Sequence, residues 1–142
     1  MTDALPELLV EDSPAAADVA LLEEHVAAAA IAAAGLGEEH EFGIFARDDD
    51  GRVVAGISGI VWGGYCELQA MWVEESLRHR GLARALIASA EAQARRRGCA
   101  LVVFHAYDLL GRGLYERLGY ETAGVIENCP AGSAARWYRK VL

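Results

Sequence analysis

Between Glu67 and His105 the hydrophobic pattern of the chain changes twice, and this change limits the folds that are open to it. Residues 67–73 are strand-like, residues 80–97 carry apolar side chains at helical spacing, and residues 99–105 are almost uniformly apolar. A uniformly apolar run is typical of a strand buried on both faces. A strand, a helix and a second strand in this order predict a right-handed crossover between parallel strands.

The strands before this unit are predicted to be antiparallel. Residues 41–46 and 52–62 are strand-like, and the turn-forming residues Asp48–Gly51 between them predict a hairpin. The connection Gly63–Gly64 is so short that strand 67–73 must run antiparallel to its predecessor.

Two further helices and a last pair of strands complete the pattern. Ser13 as the N-cap, Pro14 at the first helical position and a closing Gly35 predict a scaffold helix over residues 14–34. Asp108 can cap a short helix over residues 109–118. The final strands are predicted at residues 120–127 and 136–142, joined by a loop that contains Pro130 and Gly132.

Composition and charge narrow the class of protein. A chain of 142 residues, 54% of them hydrophobic, fits one domain over residues 1–142. Its net charge of −8 has the wrong sign for a nucleic-acid partner. The apolar stretch 26–36 is too short to cross a membrane, and the start of the chain shows no secretory signal. Three widely spaced cysteines indicate neither a disulfide framework nor a metal site, so we expect a cytoplasmic location.

The segment between the third strand and the long helix has the features of an anion site. The first turn of a helix leaves backbone N–H groups unpaired and directs the positive end of the dipole outward. Gly81 permits close approach of the backbone, and Arg78, Arg80 and Arg84 add positive charge. In an acidic protein this local cluster predicts a bound phosphate group, although arginines solvated near an ordinary helix start are the alternative.

Together with a second motif, this segment resembles the GNAT superfamily of acetyl-CoA-dependent N-acetyltransferases. Arg78-x-x-Gly81-x-Ala83 matches the pyrophosphate loop of that family, R/Q-x-x-G-x-G/A. Residues 114–120, LYERLGY, match its later L/F-Y-x-x-L-G-F/Y signature, and the match extends over about residues 41–142. The resemblance implies a mixed α/β fold. Its sheet would be mostly antiparallel, with helices on its faces and one parallel strand pair splayed around the coenzyme.

The resemblance also implies where acetyl-CoA binds. The pyrophosphate would lie on the amides of residues 78–84, and pantetheine would follow the backbone of the preceding strand. Gly111 and Gly113 would leave the coenzyme room beside the short helix. The implied cofactor-binding residues are Met71, Trp72, Val73, Arg78, His79, Arg80, Gly81, Leu82, Ala83, Arg84 and Gly111. No metal is expected.

The catalytic residues follow from the resemblance together with the needs of acetyl transfer. Tyr115 matches the tyrosine that protonates the leaving sulfur, and a phenol remains protonated at neutral pH. A backbone amide near Trp72 or Val73 would stabilise the oxyanion. Glu67, six residues before Val73 and so expected on the same strand face, is the candidate base; His105 and water are its alternatives. Asp108 stands where the family often has asparagine, and we do not expect it to contact the coenzyme.

The predicted function is acetyl transfer from acetyl-CoA to a primary amine in one ternary complex. The acceptor is a small-molecule or protein amine, with Trp62, Tyr65 and Trp72 as candidates for its pocket, and the acidic charge favours cationic acceptors. A non-catalytic acyl-CoA-binding module and a scaffold protein are the alternatives. The last two strands either pair across a homodimer, which we favour, or close on their own sheet.

Overall fold

The computed structural model describes residues 4–142, which divide into two units at Leu36 and Gly37. Helix α1 (Ala16–Ala34) belongs to the first unit. Its N-cap residue is Ala15, so the predicted start at Pro14 and the predicted cap by Ser13 are wrong. Gly35 ends the helix as predicted, because its left-handed backbone lets its N–H donate to the Ile31 carbonyl over 3.0 Å.

The second unit is built on one six-stranded sheet. Its strands are β1 (His40–Arg47), β2 (Val53–Trp62), β3 (Tyr65–Val73), β4 (Leu101–Tyr107), β5 (Glu121–Glu127) and β6 (Ala134–Val141). The strand order is β1-β2-β3-β4-β6-β5. All neighbours are antiparallel except β3 and β4, which confirms the mixed sheet with one parallel pair.

Two helices accompany this sheet. Helix α2 (Leu82–Arg96) connects β3 to β4 and starts two residues later than predicted. Helix α3 (Leu114–Arg117) is a single turn between β4 and β5. Within residues 4–142, no helix is both long and apolar enough to cross a membrane.

The core lies between α2 and one face of the sheet, which we call the α2 face. Ile87 and Ala90 on α2 pack against Ile57, Leu68 and Phe104 on the strands. Burying a side chain the size of Ile87 contributes about 2–3 kcal/mol, so this layer fixes the position of α2 on the sheet. The opposite face carries the side chains that alternate with these along each strand.

A cluster of buried polar side chains joins α2 to strand β6 and to the residue that precedes β5. The buried carboxylate of Glu91 accepts hydrogen bonds from Tyr120 Oη and Lys140 Nζ, each over 2.9 Å. Lys140 Nζ also donates to the Leu118 carbonyl over 2.8 Å. Because every charge here has a partner, the group links α2, β6 and the end of α3 without leaving a buried ion unpaired.

Both C-terminal strands pair within the chain. Strand β6 lies between β4 and β5, with Val103 opposite Arg139 and Glu121 opposite the same arginine. Closure of the last two strands on their own sheet, one of the two predicted arrangements, is therefore the one observed. The favoured pairing of these strands across a homodimer is not the arrangement observed. Dimerisation itself, like the single domain over residues 1–142, stays a prediction.

Candidate active site between two separating strands

The parallel strands β3 and β4 pair along only part of their length. Their ladder runs from Tyr65 opposite Leu101 to Leu68 opposite Phe104, and then the two strands separate. The splayed pair expected from the sequence is confirmed.

The separated ends of these strands border a cleft of about 310 Å³. Its lining residues are Ile57, Leu68, Gln69, Ala70, Met71, Ile87, Phe104, His105, Ala106, Tyr107, Leu110 and Tyr115. Met71 and Phe104 belong to the α2 face, whereas Ala70 and His105 belong to the opposite face. The cleft is therefore lined by residues whose side chains belong to both faces of the sheet.

The β3 side of the cleft presents free backbone groups. The N–H of Glu74 donates to the Val54 carbonyl of β2 over 2.9 Å. Since backbone groups point to alternate edges of a strand, those of Trp72 also face β2, whereas those of Met71 and Val73 face the cleft. The predicted backbone contact of the coenzyme with Trp72 is therefore wrong, and Val73 is the better of the two predicted oxyanion donors.

Residues 78–84 form a cationic segment. It consists of an exposed loop, residues 78–81, and the first residues of α2, residues 82–84. Gly81 is the N-cap residue with φ of +84°, a conformation that disfavours residues with a Cβ, and a Cβ placed there would meet open space. Within the described chain no side chain caps the amides of Leu82 to Arg84. Arg78 Nε donates to the Val73 carbonyl over 3.0 Å, so this guanidinium also joins the loop to the edge of β3.

Tyr115 lines the α2-face side of the cleft. Its ring packs edge-on against Phe104, with centroids 4.6 Å apart, and against Tyr138 at 5.1 Å. Burial raises the pKa of the Tyr115 phenol above its ordinary value. The phenol therefore remains protonated at neutral pH and is able to donate a proton.

The segment before Tyr115 is not the continuous helix predicted over residues 109–118. It forms a 3-10 turn at Asp108–Leu110 and then the single turn α3. Gly111 and Gly113 have φ of +106° and +102°, which interrupts the helix and explains why both residues are glycine. A Cβ at Gly111 would also meet open space, so this residue leaves room beside α3.

Ion pairs hold this segment in place. Both carboxylate oxygens of Asp108 accept from Arg136 of β6, over 3.0 and 2.9 Å, and these hydrogen bonds lower the pKa of that carboxyl. The carboxylate of Asp108 is thus bound to Arg136 and does not cap a helix, so the predicted capping role is wrong. Glu116 accepts from the N–H of Gly113 over 2.8 Å and from Tyr138 Oη over 3.2 Å, which orients α3 beside the cleft.

Glu67 does not share a strand face with Val73, and that prediction is wrong. Gln69 is an extra residue in β3, because Ser58 pairs with Ala70 and the next residue of β2 pairs with Leu68. This bulge exchanges the two faces of β3, so Val73 lies on the α2 face and Glu67 on the opposite one. Glu67 pairs with Val103, one residue before the ladder ends.

The alternative base and the residues predicted for the acceptor pocket lie on the opposite face as well. His105 is exposed, not buried, and lines the cleft directly. Trp72 stands on the β3 side of the gap. Trp62 and Tyr65, in contrast, lie at the closed end of β3, where the Trp62 indole donates to the Gly37 carbonyl over 2.7 Å.

Comparisons with known proteins agree with this fold. The model of the acetyltransferase (GNAT) family matches residues 3–120. An acetyltransferase of Agrobacterium fabrum is 30% identical over 106 residues, which are 75% of this chain and 77% of that protein. A blasticidin-S acetyltransferase of Streptomyces morookaense is 33% identical over 102 residues, 71% of this chain and 75% of that protein.

Solved structures match over nearly the whole chain as well, and one of them serves as the example. The crystal structure of a proposed acetyltransferase from Agrobacterium tumefaciens superposes with a TM-score of 0.86 at 27% identity. The alignment covers 96% of this chain and all of that one. The chain therefore belongs to the GNAT family of acetyltransferases. The family match starts well before residue 41, where the resemblance seen in the sequence begins.

Proposed function

We propose that the protein transfers an acetyl group from acetyl-CoA to a primary amine within one ternary complex. The observation that carries this proposal is the cleft between the separated strands, because residues of both sheet faces line it and the acetyl donor and the amine would approach from opposite faces. The loop at residues 78–84 begins α2 on one side, and the exposed His105 lies on the other.

Acetyl-CoA fits the residues around the cleft as the acetyl-donor substrate. The uncapped amides of Leu82 to Arg84 and the neighbouring arginines would hold its pyrophosphate. The outward backbone groups of Met71 would hold the pantetheine arm as an added strand does, and Val73 would contact it beside them. The proposed binding residues are Met71, Val73, Arg78, His79, Arg80, Gly81, Leu82, Ala83, Arg84 and Gly111. Trp72, which was predicted with them, projects from the opposite face and is assigned to the acceptor side instead.

In the reaction the amine nitrogen forms a bond to the acetyl carbon, and the bond from that carbon to sulfur breaks. The N–H of Val73 would donate to the carbonyl oxygen as it gains negative charge. Tyr115 would give its proton to the departing sulfur, which its raised pKa allows at neutral pH. Tyr115 lies on the α2 face, so the sulfur would leave toward that face.

The proton lost by the amine has a separate exit on the opposite face. Glu67 lies there, near the closed end of the gap, and would receive the proton through water. His105 lines the cleft itself and is the alternative acceptor. With the acid and the base on different faces, neither proton transfer blocks the other.

The acceptor is an amine of a small molecule or of a protein. The relative from Streptomyces morookaense is named for its action on blasticidin S, which supports a small molecule. The net charge of −8 favours an acceptor that arrives as a cation. We place this reaction in the cytoplasm.

Two measurements test the proposal. Coenzyme A at about 100 times its dissociation constant should raise the free energy of unfolding by about 2.7 kcal/mol. Thiol release from acetyl-CoA should then require an added primary amine, with an enzyme-only blank because Cys129 is a partly exposed free thiol. Stabilisation without amine-dependent thiol release would indicate a binding module, and no stabilisation would contradict the proposal altogether.

A further inference from the structure

The β4 side of the cleft carries a continuous aromatic surface on the opposite face. The His105 ring lies edge-on to Tyr107, with centroids 4.9 Å apart, and 5.6 Å from the ring of Trp137. Both partners remain open to solvent, Tyr107 at 40% and Trp137 at 39% exposure. Trp137 stands directly opposite His105 in the neighbouring strand β6. We call these three residues the aromatic rim.

A fourth aromatic ring faces this rim across the gap. Trp72 on β3 is 52% exposed and projects from the same face. Its partner on β2 is Gly56, which has no side chain of its own, and the ring of Phe45 lies over this glycine. Large aromatic side chains left open on both sides of a cleft mark a place where a ligand covers them.

The charged side chains on this face near the cleft favour a positively charged ligand. The carboxylate of Glu67 projects from it close to the end of the ladder. The guanidinium of Arg139, which projects from the same face on β6, is paired with Glu121 over 3.3 Å. Aromatic faces also attract cations through their negative ring faces.

We infer that the acceptor is an amine carried on a flat aromatic or heteroaromatic ring, which stacks on the aromatic rim formed by His105, Tyr107 and Trp137. This inference rests on the proposed function and names the acceptor class for the same cleft. The ring would lie against Tyr107 and Trp137 while the amine reaches through the gap toward the acetyl group. A flat ring gains stacking energy on these aromatic side chains, whereas a puckered saturated ring of similar size does not.

A matched pair of substrates tests the inference. 2-Phenylethylamine and 2-cyclohexylethylamine carry the same primary amine on the same linker, and they differ in whether the ring is flat. We expect kcat/KM for the aromatic amine to be about tenfold higher, which corresponds to about 1.4 kcal/mol. Hydrophobic contact alone would give the saturated amine an equal or higher value.

Substitutions locate the preference on the rim. Trp137→Leu and Tyr107→Leu should each reduce the tenfold preference to about twofold or less, whereas Tyr107→Phe should keep it because the ring remains. Phe45→Leu is the matched control, since Phe45 is an exposed aromatic residue of β1 whose ring lies over Gly56, on the β3 side of the gap and outside the rim. Unchanged coenzyme A affinity in each variant will show that the fold is intact.

The outcomes separate this inference from the function on which it rests. Equal kcat/KM for the two amines, or a preference that survives both leucine substitutions, overturns the aromatic acceptor and leaves acetyl transfer standing. Coenzyme A binding without acetylation of either amine counts against both. A preference lost in the rim variants and kept in Phe45→Leu and Tyr107→Phe supports the inference.

Discussion

The two ends of the parallel pair β3 and β4 differ in what their residues do. At the closed end the strands are hydrogen-bonded, and the buried group of Glu91, Tyr120 and Lys140 satisfies its own charges. At the open end the strands separate and backbone groups of β3 face a cleft. One strand pair thus provides stability where it is paired and borders the candidate site where it is not. Substitutions at the two ends should therefore change different measured quantities.

Two tyrosines provide the largest expected contrast. Tyr115→Phe at the open end should lower kcat about 100-fold by removing the proton donor, while coenzyme A affinity stays the same. Tyr120→Phe at the closed end should leave kcat unchanged and lower the free energy of unfolding by about 1–2 kcal/mol, because it removes a buried hydrogen bond to a carboxylate. Steady-state kinetics and urea unfolding of both variants check this. Equal kcat for Tyr115→Phe and wild type would remove Tyr115 from the mechanism.

A substitution of Lys140 tests how much the ion pair at the closed end contributes to stability. Lys140→Met leaves the Glu91 carboxylate buried without its ionic partner, and we expect a loss of about 2 kcal/mol in urea unfolding. Adding Glu91→Gln should recover much of that loss, because the amide oxygen still accepts from Tyr120 and no buried charge remains. A single variant as stable as wild type would show that the ion pair contributes nothing at this end.

Two glycines that flank α2 test coenzyme A binding and protein stability separately. Gly81 and Gly98, before and after the helix, both have positive φ and open space around a Cβ. Replacing either by alanine should cost about 1 kcal/mol of stability. We expect only Gly81→Ala to weaken coenzyme A binding, by about tenfold, because it displaces the amides that begin the helix. Titration calorimetry checks this, and equal affinities for the two variants would contradict the role of the loop.

The smallest effect should be a change in the acid stability of the open end. Arg136 lowers the folded-state pKa of Asp108, so this pair stabilises the protein above the unfolded pKa of about 4. That contribution is lost as the pH falls through the lower folded value. Urea unfolding between about pH 5 and pH 3 should therefore show a shallower decline for Asp108→Asn than for wild type. Parallel declines would mean that the pair does not contribute.

The sequence was sufficient to predict the elements that periodicity and glycine define. The strand, helix and strand around α2 and the hairpin before them are found within about two residues, since their patterns are local. The bulge at Gln69 was missed, although Gly59 inside β2 is its signal. A Cβ at Gly59 would lie 2.8 Å from the Glu67 carbonyl oxygen, and glycine within a strand often marks such a site.

Residues that act through distant partners could not be predicted. Asp108 has the local features of a helix cap, but Arg136, 28 positions later, binds its carboxylate instead. The link between Glu91 and Lys140 spans 49 positions and has no sequence pattern. The helix predicted through Gly111 failed because two glycines with positive φ outweigh the helical propensity of their neighbours.

Residue-by-residue amide hydrogen exchange, with and without coenzyme A, tests most directly whether the edge exposed by strand separation takes up the ligand. Slower exchange is expected at Met71, Val73 and Leu82–Arg84, while Trp72, whose N–H already faces β2, keeps its rate. Unchanged rates at Met71 and Val73 in the saturated protein, or equal protection of Trp72, would contradict the account.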